Sequence, residues 1–214
     1  MSRTLNPEPA RDCPLCPRLV AYRAENIAQN PDWWNGPAPS FGDANARLLI
    51  AGLAPGRTGA NRTGRPFTGD HAGFLLYETL QKTGFATGHF DPNGNDDLKL
   101  VDCMITNAVR CAPPLNKPTT IEENTCRPFL VDRLAALPNL KVIVTLGDIS
   151  RKSILKTLGL PASTIPAGHG VEGQAGPYKI INSYHCSRLN TNTGRLTPQM
   201  FEDIFLRAKA ALVE

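Results

Sequence analysis

Four cysteines in two distant parts of the chain have the type and spacing for inorganic chemistry. They are Cys13-Pro14-Leu15-Cys16, and Cys111 with Cys126 near a proline-rich turn. A C-x-x-C pair is half of a metal or cluster site, and the second pair can close it. Ligand type and spacing leave a four-thiolate zinc ion and an iron–sulfur cluster both open. Cys103 and Cys186 read as ordinary small side chains. Organic chemistry could come from three polar segments. In Asn61-Arg62-Thr63-Gly64-Arg65-Pro66-Phe67-Thr68-Gly69-Asp70 an aromatic and a carboxylate stand three residues apart, just before a helix. Asp70 can cap that helix and Phe67 can plug the core, or both can face a ligand. Asn107 offers a donor and an acceptor together, which suits an amide-like edge such as a nucleobase, although an isolated asparagine more commonly serves a turn. His185, in Ser183-Tyr184-His185-Cys186-Ser187-Arg188-Leu189-Asn190, is a lone histidine, a residue that is more often structural than catalytic.

Bulk properties limit what these residues can serve. At 214 residues the chain fits one domain, 1–214, with room for a core, and 41% hydrophobic residues exclude a disordered protein. Lys plus Arg number 23 against 19 acidic residues, a net +4 that permits an anionic partner without requiring one. No N-terminal run resembles a signal peptide and no stretch is long enough to span a bilayer, so a cytoplasmic protein without a membrane is expected. Six cysteines in such a chain point to reduced thiols and metal ligation, not to a disulfide framework. The glycine-rich loop lacks the G-x-x-x-x-G-K-[ST] order of a P-loop, and no G-x-S-x-G elbow is present.

The elements that must position these groups follow from pattern. Residues 1–12 are polar and expected to be loose. A helix is expected over 17–30, ended by Asn30-Pro31. A short apolar strand over 46–51 ends at Gly52, and the turn Gly52-Leu53-Ala54-Pro55-Gly56 opens a long polar loop. The next helix runs over 71–83, stopped by Gly84. Residues 85–99 read as loop and 101–107 as a second strand. Thr120-Ile121-Glu122-Glu123 has the form of a capping box, and Pro128 is expected to kink or restart the helix that follows. A strand over 141–146, a helix over 148–158, a strand over 178–183 and a closing helix opened by Thr197-Pro198 complete the chain. Strands alternating with helices predict an α/β fold: a single-domain, three-layer αβα arrangement with a mostly parallel central sheet. Loops 52–70, 107–118 and 184–196 each follow a strand, so all three should meet at one crevice off the carboxyl ends of the sheet.

Together these pieces resemble the uracil-DNA glycosylase superfamily, most closely its family-five, type-B branch. The likeness rests on Gly52 to Gly56 running into Asn61 to Asp70, and on Thr106-Asn107 before Cys111. It rests also on Pro113-Pro114-Leu115-Asn116-Lys117-Pro118-Thr119, on His185 to Asn190 with Thr193-Gly194, and on the cysteine pattern. The resemblance implies a monofunctional hydrolase that cleaves the N-glycosidic bond of uracil in DNA, with hypoxanthine and other deaminated bases as further substrates. It implies that Cys13, Cys16, Cys111 and Cys126 hold a structural 4Fe–4S cluster, with zinc as the alternative in the same site. Phe67 would stack on the flipped base, Asn107 would read its Watson–Crick edge, and Gly52 and Ala54 would line the pocket. Asp70 would stabilise the cationic sugar and orient water, and His185 would donate a hydrogen bond to the departing base. In the DNA-facing segments, Leu189 is the candidate wedge. Arg65, Lys117, Arg188 and Arg195 are candidate phosphate contacts, with Ser187 and Asn190 beside them. Two departures stand out. Leu53 and Ala54 are apolar where other branches carry a polar residue, and Cys186 follows the histidine where related enzymes often carry proline, which would loosen that loop.

The resemblance further implies a prokaryotic, monomeric enzyme that associates with the nucleoid through DNA. Two rival readings fit the same residues. One is a non-catalytic, cluster-bearing module that binds damaged DNA; the other is a zinc-stabilised hydrolase of free nucleosides.

Overall fold

In the computed structural model, which describes residues 4–213, a six-stranded sheet is covered on both faces by helices. The strands are β1 (Phe41–Gly42), β2 (Leu48–Gly52), β5 (Cys103–Asn107), β6 (Val142–Leu146), β7 (Glu172–Ala175) and β8 (Tyr178–Ser183), in the order β1-β5-β2-β6-β8-β7. A separate two-stranded ribbon pairs β3 (Ala86–Thr87) with β4 (Lys99–Leu100). The four central strands run parallel, and β1 and β7 close the edges antiparallel. This is the α/β, mostly parallel sheet that the alternating pattern predicts. Every residue of β2, β5 and β6 is buried, as continuous apolar strands covered on both sides require.

Alternation along the strands separates two cores. Leu48, Ile50, Ile105 and Val144 pack toward α3 (His71–Thr83) and α7 (Pro198–Ala211), against Leu76, Leu80, Phe201 and Phe205. Leu49, Ala51, Met104 and Ile143 pack on the other side, against Leu130 and Leu134 of α4 (Thr120–Ala135) and Ile154 and Leu155 of α5 (Asp148–Thr157). Each fully buried leucine or isoleucine contributes about 1.5–3 kcal/mol relative to exposure, so these two layers fix the sheet and with it the strand ends. A third, smaller cluster joins Leu19 of α1 (Pro17–Gln29) to Val109, Cys126 and Phe129.

Four local expectations are corrected. Residues 4–12 are not loose. Asn6 N–H bonds Asp132, the Pro7 carbonyl accepts from Arg110, and Glu8 bridges the buried Arg110 and Arg133. Two guanidiniums in the interior need a carboxylate, and the N-terminal segment supplies it; Met1, Ser2 and Arg3 lie outside the described residues. Pro128 does not restart its helix; α4 runs through it, because the packing of Leu130 and Leu134 outweighs one missing hydrogen bond. The cap of α4 is Thr119, not Thr120: Thr119 and Glu122 exchange reciprocal side-chain bonds with each other's backbone. The ribbon β3–β4, the edges β1 and β7 and two short helices, α2 (Ala60–Thr63) and α6 (Arg188–Asn192), lie where loop alone was expected.

Candidate active site

β2 pairs with β5 on one side and β6 on the other. The chain leaves β2 toward β5 and then crosses from β5 to β6 on the far side, so the two connections diverge and open a crevice at the carboxyl ends. A cleft of about 570 Å³ occupies this position. Its walls come from the three expected loops: Leu53 to Ala72 after β2, Asn107 and Asn116 after β5, and His185 to Arg188 after β8. Backbone bonds from Ala108 N–H to the Gly52 carbonyl (3.0 Å) and from Val109 N–H to Leu53 (2.9 Å) extend the β2–β5 pairing beyond the sheet and seat the first two loops together.

Gly52 lies opposite Asn107 in the register. A β-carbon at Gly52 would collide with Asn107 Oδ1 and stand 2.9 Å from Phe67 Cζ, so only glycine lets the carboxamide and the ring approach each other here. Asn107 is buried by its surroundings, yet among the described residues its side chain makes no hydrogen bond, which leaves both its functions for a ligand. Phe67 is held at φ 57°, a left-handed conformation costly for any residue with a β-carbon. The strain is opposed by Tyr77 Oη, which donates to the Pro66 carbonyl at 2.6 Å, and by Thr68 Oγ1, which donates to Arg65 at 2.6 Å. The Phe67 ring faces the His185 imidazole with centroids 6.1 Å apart at 29°.

Asp70 does both things its position allows. Oδ1 accepts from Gly73 N–H and caps α3, while Oδ2 points toward Gly56 and Gly59 and into the cleft. Burial raises the Asp70 carboxyl above its ordinary value, a shift opposed by the bonds from Gly73 and Ala72. Burial lowers His185, so its imidazole is neutral at neutral pH. The His185 carbonyl accepts from Asn190 Nδ2 at 2.8 Å, which fixes the loop that carries it. The Cys186 side chain is fully buried in the core, and α6 follows the loop at once.

Not every expected DNA contact is available. Arg65 is paired with Asp96 through two bonds of 2.7 and 2.6 Å, and lies among the rings of Phe41, Tyr77 and Phe90. Its charge is spent in holding the Phe67 loop, so it is withdrawn as a phosphate contact. Asn190 spends its amide on His185. Arg188 lines the cleft with Ser187, Lys117 is exposed next to Asn116, and Arg195 lies over the Tyr184 ring at 4.4 Å. Leu189 is 73% exposed. Sequence reasoning passed over Arg57, Thr58, His71 and Asn116, which also line the cleft. It also missed the tip at Leu115, 86% exposed at φ 55°. Positive φ at two successive non-glycine residues, Leu115 and Asn116, is a tertiary outcome that no sequence pattern signals.

The four cysteines line one cavity of about 20 Å³, walled by Leu19, Val109 and Phe129, behind the cleft. Ala54 touches this cluster and the cleft alike. Arg110 N–H points at Cys126 Sγ, 3.4 Å away. Burial pushes Cys111 up to about 12 and Cys126 to about 11, so both are neutral thiols unless a cation is bound. Among the described residues no three His, Cys, Asp or Glu side chains converge closely enough for a single metal ion. Four thiols around one apolar cavity are a donor set that fits an iron–sulfur cluster and a four-thiolate zinc ion alike.

A polar cleft at the switch point of a doubly covered parallel sheet, beside a four-thiol cavity, defines a narrow class. The family model of the uracil DNA glycosylase superfamily matches residues 39–209. Among relatives, the chain is 45% identical over 203 residues to a type-5 uracil-DNA glycosylase of Thermus thermophilus, covering 92% of each chain. It is 38% identical to the type-5 enzyme of Pyrobaculum aerophilum, covering 93% of this chain and 88% of that one. It is 41% identical to that of Mycobacterium tuberculosis, covering 92% and 77%. The chain belongs to the uracil DNA glycosylase superfamily, in its type-5 branch.

Proposed function

We propose that the protein is a monofunctional uracil-DNA glycosylase, a hydrolase that cuts the N-glycosidic bond of uracil in DNA and leaves an abasic site. The observation that carries this reading is the convergence of Asp70, His185, Phe67 and Asn107 on one cleft. Flipping a nucleotide costs a few kcal/mol, and stacking on an aromatic ring returns about 1–3 kcal/mol. Phe67 supplies that ring, and the unpartnered Asn107 carboxamide reads the edge of the base. As the bond between sugar and base stretches, its electron pair moves onto uracil and positive charge grows on the sugar. Neutral His185 donates an N–H to the uracil oxygen that gains the charge. The Asp70 carboxylate faces the sugar and orients the water. The water oxygen forms the new bond to the anomeric carbon, and its released proton passes to Asp70, balancing the negative charge that leaves with uracil. With Leu53 and Ala54 apolar, a second water ligand is needed. Asn116, which lines the same cleft as Asp70, is the candidate for it. Hypoxanthine and other deaminated bases share the carbonyl edge that Asn107 reads and are further candidate substrates.

Cys13, Cys16, Cys111 and Cys126 are proposed to hold a 4Fe–4S cluster, whose contribution is to tie the N-terminal arm to the loop after β5. It takes no part in the hydrolysis. Arg188, Arg195 and Lys117 contact phosphates, and Leu189 fills the space left by the flipped base. The test is alkali cleavage of a uracil-containing oligonucleotide after incubation with the protein. Cleavage at uracil is expected; binding without cleavage would leave a damage-binding module, and activity on free deoxyuridine alone a nucleoside hydrolase.

A further inference from the structure

Arg57 is an arginine of the cleft wall that is held by neutral groups alone. Its Nε donates to Asn26 Oδ1 at 2.7 Å and its Nη2 to Gln29 Oε1 at 2.9 Å, and its guanidinium carbon lies 5.3 Å from the Trp33 ring. Asn26 is buried, and its Nδ2 is committed to the Tyr22 carbonyl at 2.8 Å, so its amide can present only the oxygen to Arg57. All these partners are neutral. Among the described residues Arg57 makes no ion pair, whereas Arg65, Arg110, Arg151 and Arg207 each face a carboxylate. Arg23 and Arg62 are also held by neutral oxygens, but neither lines the cleft. A guanidinium has five N–H donors. Two are used, and the rest belong to a residue that lines the active cleft.

We propose that Arg57 is a phosphate-binding residue, aimed by α1 at the backbone of the DNA strand that carries the flipped nucleotide. The proposal rests on the glycosylase reading above and adds a site to it. Two carbonyl oxygens hold the fork in one orientation without neutralising it, so its full charge is available to a phosphodiester. A carboxylate in either place would hold it equally well and cancel it. The holding residues lie on the helix whose N-cap is Cys16 and whose Leu19 packs beside the four cysteines. The thiol-lined cavity thereby acquires a task at the DNA surface: it fixes α1, and α1 fixes Arg57.

Gln29→Glu separates this role from a structural one. Gln29 is exposed, and a glutamate there keeps the bond to Arg57 while adding the cancelling charge. Wild type, Gln29→Glu, Arg57→Ala and the double variant are titrated with a duplex carrying a non-hydrolysable fluorinated deoxyuridine, over a range of salt. Arg57→Ala is expected to flatten the plot of log K against log salt by about one unit. Gln29→Glu is expected to weaken binding about tenfold, and to have little effect once Arg57 is alanine. Lys82→Ala, at the far end of α3, should leave the slope unchanged. A purely structural Arg57 would tolerate Gln29→Glu with no loss of affinity, and that result overturns the proposal, as does a wild-type slope in Arg57→Ala. If Arg57→Ala does not fold, Gln29→Glu decides alone. Uracil excision by the wild type runs in parallel. A wild type that removes uracil while the slopes stay unchanged removes only the phosphate site; one that removes none overturns the glycosylase reading and this site with it.

Discussion

Asp70 illustrates how one side chain can hold two positions at once. One oxygen caps α3 and the other faces the cleft, so Asp70→Asn preserves most of the cap but loses the anion. Excision should fall about 10²–10⁴-fold with binding to uracil-DNA nearly intact, measured by single-turnover kinetics beside a binding titration. Unchanged excision would remove Asp70 from the mechanism. Its raised carboxyl also sets a pH dependence. The reaction needs the anion, so kcat/KM should decline as pH falls through a value above the ordinary aspartate range, and Asp70→Asn should lack that limb. The stability sign is the opposite. A carboxyl raised on folding holds its proton more tightly in the native state. Its favourable contribution is therefore present below the unfolded value and lost as pH rises through the folded one. At Gly52 a methyl group has nowhere to go. Gly52→Ala should displace Asn107 and Phe67, weaken discrimination of uracil from cytosine, and cost about 1–3 kcal/mol of stability; preserved discrimination in an excision assay would contradict the edge-reading role.

Helix caps and strand ends decide where these groups point. The capping box of α4 orients a helix that carries Cys126 on its buried face, and Glu122 is also the partner of Arg18 on α1. Thr119→Ala should lower stability by about 1 kcal/mol, read as a lower Tm, and should loosen the four-cysteine cavity before it affects the sheet. Interior helix ends and parallel strands were readable because each depends on a few adjacent residues: Asp70 with Gly84 for α3, Thr197-Pro198 for α7, apolar runs for β2 and β6. Edge strands β1 and β7 are two and four residues long and antiparallel. Nothing in Phe41–Gly42 marks a strand; it pairs because β5 leaves an open edge. The same holds for Pro128, whose effect is settled by what lies beneath the helix.

Across the whole molecule, two devices bring the chain's first segment back to its middle. One is the thiol-lined cavity; the other is Glu8, which faces Arg110, Arg133 and the Ser40 N–H. Glu8→Ala would leave two interior guanidiniums without a counter-charge. Removing one partner of a buried pair costs about 3–5 kcal/mol, and the partial exposure of Glu8 places this case at or below the lower bound. Thermal unfolding of the purified variant checks it. Replacing any one of the four cysteines should give a colourless, less stable protein with weakened DNA binding, since α1 and Arg57 would lose their anchor. A soluble, coloured and active Cys111→Ala variant would count against the cluster.

What the sequence determined by itself was chemistry and order: which residue types could act, and in which strand-ending loops they stood. Local rules suffice for that, because hydrophobic period, caps and turn residues act over a few positions. What only the tertiary structure decided was commitment. Arg65 and Arg57 are both arginines in the same polar loop, yet one is spent on Asp96 and the other is left uncancelled by two amides. Whether a charge is available depends on partners 26 to 31 residues away in the chain. Such pairings arise only when the sheet brings separate loops together, so no local pattern can encode them.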